Sequence, residues 1–433
     1  MRSLQSGVEL IYDVCVIGSG MTGMAATLFA ANRGLTTLQV GSAGEILFAS
    51  GLLDLLGVHP IEKKKIWRDP WAGITAVARD FPQHPYARIN QADIRAAFEE
   101  LLAFLDDKGL AYNCSKRRNQ EVVTSMGTTK LSYCLPRTMW NGAEAFRKKT
   151  PCLVVDFRGL KGFSACQIAQ TLTDKWPNMR TRHIEFPGLQ ALSEIYPERL
   201  ARRLEVRQNR ENLAHVIRPH LKKAGIVGFP AMLGINGSLE VMADLEERLG
   251  LPVFEIPTMP PSAAGLRLKE TFEQHLPSKG VHLTSNKQVL NVRRDKKGYF
   301  MLDIGNTEKE RRARSRAVVL STGRFIGRGL HAGRNGVRET LFNLPVAQPE
   351  SRAFWHRQDF LDPRGHPINR AGLEVDDYFR PLNRNGRPAF ENLYAAGSIL
   401  AHHDWMRMKC GSGVAIATAY AAVNTLLKSG FLT

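Results

Sequence analysis

The side chains that could grip or move charge fall in three places along the chain. Arg267 follows "PPSAAGL", and Arg334 and Arg338 flank Asn335-Gly336. A guanidinium offers a rigid fork of donors that matches a phosphate or a carboxylate. These three arginines are therefore candidates for holding a small anionic substrate, with surface or structural ion pairing as the competing role. His402 and His403 stand side by side and could handle a proton near neutral pH, although a histidine is often structural. Cys410 precedes a predicted helix start, where a thiolate would be stabilised. No resolving cysteine is evident, so close packing as a small residue is the simpler role. The six cysteines are scattered without a C-x-x-C pair. That pattern predicts reduced thiols in a cytosolic setting and no zinc or iron–sulfur site within the chain.

Such side chains need a scaffold, and "YDVCVIGSGMTGMAATLFAANRGLTTLQV" (12–40) supplies a recognisable one. An apolar run fit for a buried parallel strand breaks at Gly18-Ser-Gly20-Met21-Thr22-Gly23 and continues at helical spacing. Gly34 stops the helix, and "LTTLQV" reads as a second strand. Gly18 permits the turn, Gly20 lets a phosphate approach the backbone, and Gly23 lets helix and strand pack closely. The helix start offers free N–H groups to that phosphate. A carboxylate normally follows about 20 residues on and binds the adenosine ribose, but none occurs between Asp13 and Glu45. Ser42 takes that place. The omission suits a mononucleotide such as FMN and also permits FAD held by other contacts.

Two later segments favour a flavin over a nicotinamide. From Gly280 the chain reads as a strand, a charged turn at Asp295–Gly298, an alternating strand, and a buried strand ending at Thr322-Gly323. Two-lobed flavoproteins commonly show such a β excursion, which would return the chain to the first sheet. "NLYAAGS" then ends a short strand at Gly397-Ser398, and Gly411-Ser412-Gly413 opens an Ala-rich helix. Its amino end would aim unpaired N–H groups at a flavin ring edge that gains negative charge on reduction. The expected fold is α/β: a Rossmann-like flavin-binding domain of the two-dinucleotide-binding type, with an inserted α/β cap. The boundaries read as 1–125 and 280–433 for the flavin-binding parts and 126–279 for the insertion.

The net charge of +18 comes from basic runs in separate segments such as "EKKKIWR" and "ERLARRLEVRQNR". No nucleic-acid recognition module accompanies them, so nucleic acid is disfavoured against solvated faces, an anionic membrane surface or an acidic partner protein. No apolar run approaches the roughly 18 to 20 residues that cross a bilayer, and the first residues lack an apolar signal core. The expected location is cytoplasmic, with a peripheral place on the inner face of the cytoplasmic membrane left open.

"GSGMTG", "LFASGLLDLLG" (47–57), "HPY" (84–86), "PTMPPSAAGLRL" (257–268), "GRNGVRE" (333–339), "NLYAAGS" and "CGSGVA" together resemble the B-subunit family of anaerobic glycerol-3-phosphate dehydrogenase. The likeness runs almost end to end. It implies a noncovalent flavin, described for the family as FMN. It also implies work alongside a catalytic, glycerol-3-phosphate-oxidising flavoprotein subunit and an iron–sulfur membrane-anchoring subunit, with electrons passing to quinone. "FASGLLDLL" is also similar to the loop that touches the ring in fumarate-reductase-type flavoproteins, where Ser50 and Gly51 would allow close approach; a helix N-cap at Ser50 is the alternative. The bulky "HHDWMRMKC" (402–410) after "AAGS" departs from the glycine-rich approach expected there.

Overall fold

A computed structural model describes residues 10–42, 45–115 and 117–430, with the Glu45 side chain left out. The fold is α/β, built on two sheets. The first strand, Ile11–Ile17, is buried on both faces over its second half because Val14 to Ile17 are all apolar. It lies in the middle of a seven-stranded sheet. Thr37–Gly41 pairs with it in parallel on one side, followed by Val281–Ser285. Lys309–Leu320 pairs with it in parallel on the other.

The long strand Lys309–Leu320 carries two kinds of neighbour. Its first part pairs antiparallel with Phe300–Gly305, which pairs in turn with Gln288–Arg294. Its last residues, Val318 to Leu320, pair in parallel with Leu393–Ala395. The turn at Asp295 is held by its own carboxylate, which accepts the N–H groups of Lys297 and Tyr299 at 2.9 Å each. The stretch that begins near Gly280 is two strands, not one, because Asn286 adopts φ 60° between them. The first half joins the parallel side of the sheet and the second half starts the excursion.

The second sheet lies between residues 152 and 256. Its four strands are parallel, in the order Val253–Ile256, Ile226–Pro230, Cys152–Phe157, Met179–Ile184. Separate apolar clusters form around it. One contains Leu153, Phe229 and Leu245, and the other Val154, Trp176 and Phe254. The strand Met179–Ile184 and the helices Pro197–Leu204 and Arg207–Ile217 escape a sequence reading, because charged residues interrupt each one.

The thiols depart from the expectation of a fully reduced set. Cys114 and Cys134 face each other as direct cross-strand partners and form a disulfide. Their separation of 20 residues gave no spacing signal, since only the pairing of Tyr112–Cys114 with Cys134–Pro136 brings them together. Cys15, Cys152, Cys166 and Cys410 are free. Among the described residues no group of His, Cys, Asp or Glu could hold a metal ion. No helix among them is long and apolar enough to cross a membrane.

Candidate functional site

The first glycine turn opens onto a cavity of about 340 Å³ at the carboxyl ends of the parallel strands. Gly18 has φ +128°, and a Cβ there would stand 2.2 Å from the Ser321 carbonyl oxygen. Gly23 is as tightly placed, its added Cβ falling 2.0 Å from the Gly18 carbonyl. Helix Met21–Asn32 starts at Gly20, which offers no side-chain cap. Its first-turn N–H groups are left to whatever occupies the cavity, and an anion satisfies them best. Gly18, Gly20, Ser42 and Thr322 all line this space.

The lining of the cavity suits a phosphate-bearing cofactor, with Thr322 at the wall and its hydroxyl turned inward towards Gly329. Lys287, Gln288 and Arg328 line it further out, with no carboxylate among the lining residues. The ribose-clamp position is filled by backbone: Ser19 Oγ donates to the Ser42 carbonyl at 2.8 Å. Gly323 has φ +69° just behind Thr322.

Met21 and Thr22 contribute differently. The Thr22 side chain faces the loop at Gly397, where an added Cβ would fall 2.1 Å from Thr22 Oγ1. Gly397 N–H donates to Thr418 Oγ1 at 2.8 Å. Gly397 and Thr22 thus lock the first helix to the C-terminal helix Gly411–Lys428. Met21 packs against the main core.

The C-terminal helix start is partly taken up by the chain itself, unlike the first. Gly413 N–H donates to the Asp54 carbonyl at 2.7 Å, and Ser412 Oγ donates to the Leu52 carbonyl at 3.2 Å. Tyr86 of the "HPY" segment donates its hydroxyl to the Leu55 carbonyl at 2.6 Å. That hydroxyl stands 2.1 Å from where a Cβ on Gly413 would be. The expected row of unpaired N–H groups is therefore reduced by Gly413. Gly411 instead abuts the Trp405 ring, 3.1 Å from an added Cβ. Ser50 caps no α-helix; its Oγ accepts Leu52 N–H at 3.4 Å, and Gly51, at φ +80°, touches Ala264.

Arg267 does not reach a substrate. Its guanidinium is buried and paired to Glu255 by two bonds of 2.6 and 2.7 Å, and its Nε donates to the Gly234 carbonyl. Glu255 also accepts the N–H groups of Met232 and Leu233 and the Thr138 hydroxyl. Burial pushes the Glu255 carboxyl up, but Arg267 and these donors together hold it below its ordinary value. Arg334 and Arg338 are exposed on the hairpin Leu330–Gly333 and Gly336–Glu339. The hairpin is anchored through buried Glu339, which accepts Leu341 and Phe342 N–H at 2.8 and 2.7 Å. Thr340 and Leu341, the next residues, line the cavity.

The two histidines part company. His402 adopts φ +67° and meets Glu374 through Nε2 at 2.9 Å. His403 is fully buried, with Nδ1 at 3.2 Å from the Ala401 carbonyl. Burial and the nearby Arg324 charge hold its imidazole neutral, well below the usual pKa. Its ring stands edge-on to that of His84 at 5.9 Å. His84 accepts Tyr86 N–H on Nδ1, and burial lowers its pKa to about 3. The Nε2 atoms of both rings are buried without a partner among the described residues. The Cys410 thiol is likewise buried, and burial raises its pKa, so it is a packed group and not a stabilised thiolate.

Sequence reading missed Arg324, although it directly follows Thr322-Gly323. Its buried guanidinium donates to the carbonyls of Ser398, Asn369, Leu400 and His403. It fixes the loop after Leu393–Ala395 against the cavity strand, and burial lowers its pKa to about 10. Asp54 was missed too; its carboxylate pairs with Lys130 at 2.8 Å beside the C-terminal helix start.

A glycine-built phosphate cradle at the carboxyl ends of a parallel sheet, with a β excursion and a second α/β unit, defines a nucleotide-cofactor protein of the flavoprotein type. The chain belongs to the FAD binding domain family, whose model matches residues 13–414. It is 27% identical to the anaerobic glycerol-3-phosphate dehydrogenase B-subunit of Vibrio vulnificus, with 96% of each chain covered. To the protein of that name from Pectobacterium carotovorum it is 29% identical, covering 97% of this chain and all of the other. Among solved structures, 3-ketosteroid delta1-dehydrogenase from Sterolibacterium denitrificans matches at 12% identity and a TM-score of 0.43, with 97% of this chain and 100% of that one covered. The resemblance drawn from the sequence motifs thus extends over 96–97% of the chain. The family match names FAD, and nothing supports the preference for FMN.

Proposed function

We propose that this chain is a flavin-dependent dehydrogenase subunit that holds FAD in the 340 Å³ cavity and takes or relays electrons from sn-glycerol 3-phosphate towards quinone. The supporting observation is the open helix start at Gly20, with Lys287 and Arg328 lining the same cavity, in a chain similar end to end to proteins that carry the name of that dehydrogenase's B-subunit. The flavin would supply hydride acceptance and one-electron release. Gly18, Gly20 and Gly23 keep the backbone close enough for the first-turn N–H groups to bind phosphate oxygens. Arg324 keeps the strand and the loop after Gly397 in register. His402, held by Glu374, lines a second cavity with Arg88 and Leu400 and is the imidazole that would take a proton from a substrate hydroxyl admitted there. Partner subunits, one of them a flavoprotein and another an iron–sulfur anchor, complete the assembly, on the inner face of the cytoplasmic membrane.

A second reading is that the chain carries flavin for electron transfer and turns over no substrate itself. It is favoured by the engagement of Arg267 with Glu255 and by the burial of His403, which remove two candidate substrate contacts. Flavin released by heat from the purified chain and resolved by chromatography should be FAD. Anaerobic glycerol 3-phosphate should then bleach the yellow absorbance of the isolated chain. Bleaching only in the presence of partner subunits selects the second reading, and a colourless protein after reconstitution with FAD rejects both.

A further inference from the structure

The segment between Trp355 and Ile368 is an Ω-like loop whose ends are tied by the bond from Ile368 N–H to the Trp355 carbonyl, 3.2 Å long. Trp355 and Ile368 themselves sit in the main core. Inside the loop, Arg357 N–H donates to His366 Nδ1 and Arg357 Nε to the Gly365 carbonyl, while the His366 Nε2 contacts the Phe360 carbonyl at 2.9 Å. Asp362 is neutralised by Arg364 at 2.7 Å. Arg407 reaches the Asp362 carbonyl from the turn Trp405–Met408. At Gly365 an added Cβ would stand 2.7 Å from Asp404, so the loop lies flush on that turn.

All this anchoring holds two large apolar side chains out in water. Phe360 is 86% exposed and Leu361 82%. A loop free to move could turn them inward; this one is braced from both sides. Phe354 just before the loop, and Trp405 and Met406 on the turn the loop lies against, are also exposed. Between Ser351 and Arg370 four arginines stand against two aspartates; Arg364 pairs with Asp362 and Arg370 with Glu62, while Arg352 and Arg357 meet no carboxylate among the described residues. A protruding apolar tip above a guanidinium collar, on a chain of net charge +18, matches the layering of an anionic bilayer surface. A protein interface of ordinary size calls for about 800 Å² of flatter surface per partner, and a tip of two side chains does not supply it.

We propose that the loop between Trp355 and Ile368 is a membrane-contact element. Phe360 and Leu361 enter the interfacial zone of an anionic lipid surface, and Arg352 and Arg357 meet lipid phosphates. The element gives the peripheral placement proposed above a physical site on this chain and is independent of the flavin chemistry, so the two fail separately. The full-length protein is floated with vesicles of phosphatidylglycerol and phosphatidylethanolamine, and in parallel with phosphatidylcholine vesicles. Flotation with the anionic vesicles is expected. It should fall at least tenfold in the doubly substituted F360S/L361S protein and severalfold in Arg352→Gln, with melting temperature and flavin content unchanged. The proposal is overturned if the wild type stays at the bottom of the gradient, if neutral vesicles lift it equally, or if the double variant floats as well as the wild type. Loss of co-elution with co-expressed partner subunits in the double variant, without any vesicle binding by the wild type, would assign the tip to a protein contact instead.

Discussion

The two helix starts that flank the cofactor region use the same residue types and differ in how far the chain itself fills them. At Gly20 the backbone is bare and the first-turn N–H groups open to a cavity. At Gly413 the N–H is taken by Asp54, and the Tyr86 hydroxyl fills the space that glycine leaves. The difference arises from the chain that crosses in front of each. The loop at Gly397 meets the first helix at Thr22 and leaves Gly20 lining the cavity, whereas the stretch from Leu52 to Leu55 lies across the C-terminal helix and is itself tied to Cys134 through paired backbone bonds. Small residues at a helix start therefore permit two outcomes, ligand binding or tight backbone packing, and the neighbouring segment selects between them.

The comparison breaks most visibly at Gly18. Gly18→Ala adds a Cβ into the Ser321 carbonyl and forces a left-handed backbone on an L side chain. Flavin content of the purified protein should fall to the baseline, and retention near the wild-type level would show that the open end is not the phosphate site. In the saturated region, Arg267→Ala leaves Glu255 charged and buried, which should lower unfolding stability by about 3–5 kcal/mol. Glu255, with its pKa lowered, contributes stability above its ordinary titration range and loses it as pH falls through the folded value, so the wild type should also weaken in acid below about pH 4.5. Urea melts of both proteins test this.

At the C-terminal helix start Gly413→Ala should cost about 1–3 kcal/mol through the clash with Tyr86. Tyr86→Phe in the same protein removes the clashing oxygen and should recover part of that loss. If the double variant then binds flavin as the wild type does, the C-terminal helix start makes no flavin contact. His84 provides a pH counterpart. It stays neutral down to about pH 3 in the folded chain, while the unfolded chain takes up a proton near pH 6.5. Stability is therefore complete above about pH 6.5 and falls below it, by roughly 2 kcal/mol at pH 5 from this ring alone. His84→Asn should flatten the slope between pH 7 and 5, and an unchanged slope would mean that the ring is not buried neutral.

The first strand, the glycine turn, the Asp295 hairpin and the C-terminal helix were legible because each rests on local signals: apolar runs, glycines and a capping aspartate. The closure at Gly413 was not, because it depends on Asp54 and Tyr86, which are distant in sequence. Arg267 was misjudged for the same reason. An arginine on a helix reads as a surface or substrate group until Glu255 is known to stand behind it. His402 and His403 look alike as neighbours, yet a left-handed turn at His402 sends one towards Glu374 and leaves the other sealed. The disulfide needed strand pairing to be seen. What sequence conveyed well was chemistry carried by backbone, and what it conveyed poorly was the state of each side chain.

The smallest expected effect is the most informative about the open end. Ser42 is exposed at the mouth of the cavity where a ribose carboxylate would ordinarily stand, and its backbone carbonyl is already held by Ser19. Ser42→Asp restores the acid without disturbing that bond. A charged hydrogen bond to the adenosine ribose is worth about 1.5 kcal/mol or more, so FAD should bind about tenfold more tightly. FMN, which has no adenosine, should gain nothing and lose slightly by repulsion between the new carboxylate and its phosphate. Titration of the flavin-free protein with each compound separates these outcomes. Equal affinity of variant and wild type for FAD would mean that the adenosine does not reach Ser42.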